Sequence, residues 1–296
     1  MWIPHFTLAP LKPNSPAPTI QASRDDRRPR EFIVALYLSN PLTKARDIDI
    51  QHRAEKSYSM PAESGETVSI TLAGGQSGRL GELICRTQAE GVGEAVRRCH
   101  DAASRLLDHW SVRHGRGMTI AGLRAADAAH DAKWRAVPFR PSTLDPGDDG
   151  FPDMPADLRT LAFLYREGRN AASPAYRLLC ATRILHWHKA GERPERRTPT
   201  VTREMLVLSG AWDRLSALEG REYGELLAHL APARERVIGM LTGDDAEQEP
   251  GAFDWMCDLS ILADLADFAA RQVLLDAFGL QGGAMNATIR QVEEVV

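Results

Sequence analysis

Residues 141–157, PSTLDPGDDGFPDMPAD, separate two parts of the chain that have different hydrophobic periods. Four prolines, two glycines and five aspartates in this stretch leave no apolar face and no unbroken run of helix formers, so it reads as a linker. Upstream, short runs rich in β-branched and aromatic residues surround a single long helical pattern. Downstream, the apolar residues recur only at steps of three and four. The expected fold class is therefore α+β: a small N-terminal sheet with one long helix, followed by an all-helical C-terminal domain. The expected domains are a poorly ordered or docking tail at 1–30, an α+β domain at 31–140, the linker at 141–157 and a helical domain at 158–296.

In the first part, EFIVALYL from Glu31, TVSITLA from Thr67, GELICRTQ from Gly81, MTIAGLRA from Met118 and KWRAVPF from Lys133 read as strands. Gly74-Gly75-Gln76 lies between the second and third of these. It matches a tripeptide of peptide-release factors but reads more simply as the tip of a hairpin. The long helix is predicted from Val92, Val96, Cys99, Ala103, Leu106, Leu107 and Trp110, with Glu94 in its first turn, Arg113 and His114 in its last, and Gly115 to stop it. In the second part a helix ends near Gly168-Arg169-Asn170, with Asn170 expected to take a left-handed conformation, and Ser173-Pro174 opens the next. Leu178, Ala181, Thr182 and Leu185 form its inward face. Helices follow at about 202–218, 221–229 and 231–241, and a last long one runs from Phe253 to Phe278.

Composition excludes several classes. A formal net charge of -4 gives no overall field toward nucleic acid or anionic lipid. No apolar run approaches the ~20 residues of a membrane helix, and the N-terminus lacks the pattern of a signal peptide. The four cysteines are widely spaced and form no CxxC, so they read as reduced thiols behaving as small hydrophobes in a cytoplasmic protein. Of 36 basic residues only five are lysine, as expected from a GC-rich bacterial genome.

Few side chains form a chemical constellation. Asp145, Asp148, Asp149 and Asp153 lack the spacing of a calcium loop. His186 and His188 sit at alternate positions on a helix and point apart. They read as polar residues matched to a helix C-terminus, and neither a metal nor any cofactor is expected. Asp254/Asp258 and Asp264/Asp267 read as the wet face of the last helix. That leaves Tyr165, Arg166, Arg169, Asn170, Ser173, Tyr176 and Arg177 around the helical break. Asn170 and Ser173 are explained by capping, but the tyrosines and arginines exceed what capping needs. Tyr and Arg are the types that anchor interfaces and hold anions.

The same stretch carries a resemblance. Tyr165, Glu167, Asn170, Ser173, Pro174, Tyr176, Arg177 and Leu179 follow the pattern Y-x-E-x-x-N-x-x-S-P-x-Y-R-x-L of the methylamine utilisation protein J family. The resemblance implies an α+β region followed by helices, and a helical half similar to HEPN-type domains. Helical ribonucleases of the HEPN type carry an arginine followed at short distance by a histidine. Arg183 and His188 have that spacing, as do Arg124 and His130 in a strand context that suits it poorly. In the arginine-bearing stretch 233–241 before the last helix, no histidine follows at the required distance. The sequence therefore points to a non-catalytic accessory or adaptor protein. It would bind another protein, a second copy of itself included, through Tyr165, Arg166, Arg169, Tyr176 and Arg177. The alternative is an RNA-binding or RNA-cleaving HEPN-like protein using Arg183 and His188.

Overall fold

The structure, a computed structural model, describes residues 8–11, 15–41, 48–51, 56–61, 66–75, 78–115, 117–136, 156–190, 199–243 and 252–278. They fall into two compact units. The described residues of the first lie within 8–136 and 252–254, those of the second within 156–243 and 255–278.

The first unit is an antiparallel sheet. Its strands are β1 (Ala9–Pro10), β2 (Arg30–Ser39), β3 (Ile48–Gln51), β4 (Ser57–Pro61), β5 (Thr67–Gly74), β6 (Arg79–Ala89), β7 (Thr119–Asp127) and β8 (Ala132–Ala136). Among the described residues the order is β1-β8-β7-β2-β6-β5-β4, with β3 also paired to β6. All five expected strand stretches are present. β2 lies at the centre, its Val34 opposite Cys85 of β6 and Ala125 of β7. One sheet face is apolar and dry: Phe32, Val34, Leu36, Ile70, Leu83, Cys85 and Leu123 are fully buried. The other carries cross-strand pairs that suit a half-exposed face, Arg86 with Glu31 at 3.3 Å and Arg124 with Glu82 at 3.1 Å.

The long helix is found as expected. α2 (Val92–His114) lays Val96, Cys99, Ala103, Leu106, Leu107 and Trp110 on the dry face and ends on Gly115, whose φ of 60° and ψ of 38° close a left-handed cap. The free Cys85 and Cys99 thiols meet in this core, and the hydrogen bond between them together with burial pushes the Cys99 thiol upward.

The reading of residues 10–30 as a tail or docking strand is corrected. Ala17–Asp25 form α1, opened by Pro16 and Pro18, which suit a first helical turn. A nine-residue helix burying little beyond Ile20 and Ser23 has no strong periodicity to reveal it. It is held by a non-local network instead. Asp127, fully buried, accepts from Ser23 Oγ at 2.5 Å, Arg30 Nε at 2.8 Å and His130 Nδ1 at 2.9 Å. Arg30 also donates to the carbonyls of Ser23, Asp26, Arg28 and Glu90.

The second unit is helical: α3 (Ala156–Asn170), α4 (Pro174–Ala190), α5 (Arg203–Leu208), α6 (Trp212–Leu215), a 3-10 turn at Ser216–Leu218, α7 (Tyr223–Thr242) and α8 (Phe253–Phe278), whose first two residues belong to the first unit. Its core includes Leu178, Ile184, Leu206, Leu226, Leu230, Leu265 and Phe268. Thr202 caps α5 by accepting from the Met205 N–H at 3.2 Å. The expectation of two helices over 221–241 is corrected. α7 runs through Pro232, which removes one backbone donor while Leu226, Leu227, Leu230, Ala233 and Val237 hold the helix to the core on both sides. Asp145, Asp148, Asp149 and Asp153 of the linker, Gln76 and most of the basic loop after α4 lie outside the described residues.

Candidate functional site

The corner between α3 and α4 forms because one helix ends and the next begins within three residues. Ser173 opens α4: its carbonyl accepts from the Arg177 N–H at 3.2 Å, and its hydroxyl lies 3.5 Å from the Tyr176 N–H. Asn170 does not take the left-handed conformation expected of it. It is the last residue of α3, and the chain leaves through an Ala171 N–H that reaches back to the Glu167 and Gly168 carbonyls. Gly168 serves packing: a Cβ there would lie 3.1 Å from the Cys180 Cβ, so the missing side chain is what lets α3 approach α4.

The arginines of the corner divide. Arg177, 3% exposed, points inward with Leu178, Ala181 and Thr182 and bonds Asp264 of α8 at 2.5 Å. Arg169 bonds Asp267 of α8 at 2.9 Å. This corrects the reading of Asp264 and Asp267 as a wet face. Residues 263–270 are buried without interruption, so every side of α8 is covered there. Two carboxylates in such a place require partners, and the surplus arginines of the corner are those partners.

The pairs are tense. Arg177 Nε and Nη2 and Asp264 Oδ2 are buried with no hydrogen-bond partner. Burial raises the Asp264 carboxyl to about 7 against the opposing pull of Arg177, and the nearby Asp267 charge adds to the rise. Asp267 is raised too, chiefly by burial. Tyr165 packs against the same core, and its phenol is pushed up by burial and then by the Asp267 charge.

Of the five expected contact residues, Arg177 is therefore internal, Tyr165 and Arg169 are half-buried, and Arg166 and Tyr176 face out. Phe163, absent from the expected contact set, is 51% exposed and lies under the Arg166 guanidinium, 5.4 Å from ring centroid to Cζ. Its signal was position: it lies one turn before Arg166 on the polar side of α3. Glu167 links the exposed set, 3.8 Å from Arg166 and close enough for its charge to act on Tyr176.

The remaining candidates are dispersed. Arg183 is exposed and His188 half-buried on α4, while His186 Nε2 lies 2.6 Å from Arg234 Nη1 of α7. Asp258 pairs with Arg214, and Asp254 with Arg97 of the first unit. Among the described residues no three His, Cys, Asp or Glu side chains gather as metal ligands, and no helix is long and apolar enough to cross a membrane. The cysteines are free thiols.

The family described as "Methylamine utilization protein MauJ, N-terminal domain" matches residues 6–136, the span of the sheet unit. Relatives carrying the name Methylamine utilization protein MauJ match nearly end to end. The protein of Methylorubrum extorquens is 38% identical over 283 residues, covering 93% of this chain and 95% of its own. That of Paracoccus denitrificans is 37% identical over 281 residues, with coverages of 93% and 94%. The Paracoccus versutus protein is 35% identical over 284 residues, covering 93% of each. No solved structure matches. On this similarity across sheet and helices alike, the chain belongs to the MauJ family of methylamine utilization proteins.

Proposed function

We propose that this chain is a non-catalytic accessory protein of methylamine utilisation and acts by binding another protein through the exposed side of the α3–α4 corner. The observation that carries this is the division of the corner. Arg169 and Arg177 are committed to Asp267 and Asp264 inside the unit, so they fix the two helices. Phe163, Arg166 and Tyr176 face outward, one aromatic already stacked under an arginine. Aromatic and arginine side chains held on a rigid base are the residue types that dominate binding energy at interfaces. The partner is a protein of the same cytoplasmic compartment, and a second copy of the chain is one form it can take.

The test is capture from a bacterium that carries the gene, grown on methylamine. The tagged wild-type chain is compared with a triple variant, Phe163→Ser, Arg166→Ala and Tyr176→Ala, whose circular dichroism should match wild type. Loss of at least ~2 kcal/mol of binding, about thirtyfold, is expected if these residues form the centre of the contact. Capture that is equal in wild type and variant refutes the reading.

A second reading has one observation in its favour. The Arg234–His186 contact brings a further arginine to the end of α4 that bears Arg183 and His188. On this reading the helical unit binds or cleaves RNA. Incubation of total RNA with the purified protein and with His188→Ala decides it, since cleavage that depends on His188 would displace the adaptor function.

A further inference from the structure

The corner face that carries Phe163, Arg166 and Tyr176 is longer and more charged than those three residues. On α3, Arg159, Phe163, Arg166 and Asn170 are exposed at i, i+4, i+7 and i+11, a single stripe about 16 Å long at 1.5 Å per residue. On α4, Tyr176 and Arg183 are exposed two turns apart. Glu167 stands between the two rows, since its charge is felt at both Tyr176 and Cys180.

Which charges are engaged decides the sign of this face. Arg159 and Arg183 make no ion pair or hydrogen bond among the described residues. Arg166 lies 3.8 Å from Glu167 with both side chains open to water, a geometry that commits neither of them. Arg169 and Arg177 are neutralised inside by Asp267 and Asp264, so those carboxylates offer nothing to the surface. Among the described side chains of α3 and α4, three arginines therefore face outward against one glutamate, on a chain whose formal net charge is -4. On the half-exposed face of the sheet, by contrast, Arg86 is set against Glu31 and Arg124 against Glu82. Local charge opposed to that of the whole chain steers an oppositely charged partner to one place.

The residue types and their spacing narrow the partner further. A guanidinium is matched in shape by a carboxylate, which it binds through two parallel N–H groups. Arg159 and Arg166 are about 10 Å apart along α3, the rise of two helical turns, with Phe163 between them. A partner helix with carboxylates two turns apart and an apolar residue between them repeats that spacing. RNA fits less well. One face of Phe163 is covered by the Arg166 guanidinium, which takes the place a stacked base would use. Three cations also fall short of the ~6–10 phosphate contacts of a typical nucleic-acid site.

We propose that the corner binds an acidic amphipathic helix of a partner protein, its carboxylates paired with Arg159, Arg166 and Arg183 and its apolar side chains set on Phe163 and Tyr176. This rests on the adaptor reading above and gives that surface its partner class. It also adds two recognition residues, Arg159 and Arg183, to the set of Phe163, Arg166 and Tyr176.

The experiment repeats the capture from methylamine-grown bacteria with the full chain. Arg159→Glu with Arg183→Glu reverses the charge and leaves Phe163, Arg166 and Tyr176 in place. Arg159→Ala with Arg183→Ala is the milder form, used if the reversed chain departs from the wild-type circular dichroism. A photo-reactive benzophenone side chain at the exposed Thr160 marks the partner segment that lies on the face. That segment is then made as a fluorescein-labelled peptide, once with its own carboxylates and once with glutamine and asparagine in their place. Both are titrated by fluorescence anisotropy beside a labelled oligouridylate. The cross-linked segment should hold more carboxylates than cations. The amidated peptide should bind the wild-type chain at least ~10-fold more weakly than the acidic one, and the arginine variant should weaken the acidic one by as much. The proposal is overturned by the absence of a cross-linked protein, by a segment without excess carboxylate, by equal binding of the two peptides, by undiminished binding in the arginine variant, or by tighter binding of the oligouridylate. The two readings separate. Capture lost in the Phe163→Ser, Arg166→Ala and Tyr176→Ala chain but kept in the Arg159 and Arg183 variant leaves the adaptor reading and removes the acidic helix, whereas capture kept in both removes both.

Discussion

The buried Arg177–Asp264 pair offers a perturbation whose size follows from its surroundings. Replacing Asp264 by Leu leaves a guanidinium 3% exposed with no counter-ion of its own, and replacing Arg177 by Met leaves a carboxylate 2% exposed. Breaking a buried pair from one side costs about 3–5 kcal/mol, because the survivor is an uncompensated charge. That is a third or more of the stability of an ordinary domain. The double variant behaves differently. It removes both charges and with them three polar atoms that already lack partners: Arg177 Nε and Nη2 and Asp264 Oδ2. Each such atom weakens the native state by about 1–3 kcal/mol. Arg177→Met with Asp264→Leu should therefore lie within about 1 kcal/mol of wild type or exceed it, giving a coupling energy of at least ~3 kcal/mol across the cycle. Urea unfolding followed by far-ultraviolet circular dichroism measures this. A chain of two units can unfold in two steps, so each transition takes its own midpoint. At ~1–3 kcal/mol per molar urea, each single variant should lower the helical unit's midpoint by at least about 1 M and the double should restore it. Singles that cost less than about 1 kcal/mol, or a double whose cost equals the sum of the singles, would refute the reasoning.

Three further outcomes follow from the same geometry. Asp264 holds its proton up to about pH 7 in the folded chain but only to about 3.9 when unfolded, so its contribution to stability falls as pH rises between those values and is flat above; unfolding midpoints over that window should fall more steeply in wild type than in the Arg177→Met/Asp264→Leu chain, which keeps only the raised Asp267 of the two carboxylates. Asp127 has the opposite sign. Burial raises its carboxyl, but the bonds from Ser23, Arg30 and His130 outweigh burial and hold it below the usual range, so its contribution is present above about pH 3.9 and lost as acid passes below; Asp127→Asn should destabilise the sheet unit at neutral pH and flatten its acid limb, and an unchanged limb would contradict the network. Gly168→Val should cost ~1–3 kcal/mol through the approach to Cys180, against the ~1 kcal/mol gain a helical glycine usually offers on replacement by alanine; a stabilised valine variant would show that the two helices have room to part.

Legibility in the sequence followed locality. β2, β5, β6, β7, β8 and α2 were readable because each announces itself within ten to twenty residues through its own period, and Gly115 ended the helix where only a left-handed cap fits. α1 was not, since what holds it is Asp127, 104 residues from Ser23. The last helix shows the limit most sharply. Its charges read as a wet face because isolated buried carboxylates are prohibitively costly, and the sequence offers no local reason to think otherwise. The partners stand 87 and 98 positions away. A signal did exist: Ser260, Asp264, Asp267 and Arg271 follow one another at i, i+4, i+7 and i+11, a polar stripe along one side of the helix through its most apolar stretch. Set beside a corner with more arginines than capping needs, it supplied the complementary half. Solving both together changes the functional reading as well as the fold. Two of the arginines that drew attention to the corner, Arg169 and Arg177, are spoken for inside, so whatever meets this surface is met by Phe163, Arg166 and Tyr176. The internal pairs set how rigidly those three are presented, and loosening Asp264 without touching the surface should weaken partner capture through mobility alone. If capture by the Arg177→Met/Asp264→Leu chain equals wild type while the Asp264→Leu chain, still folded, captures less, rigidity of the corner is part of how it binds.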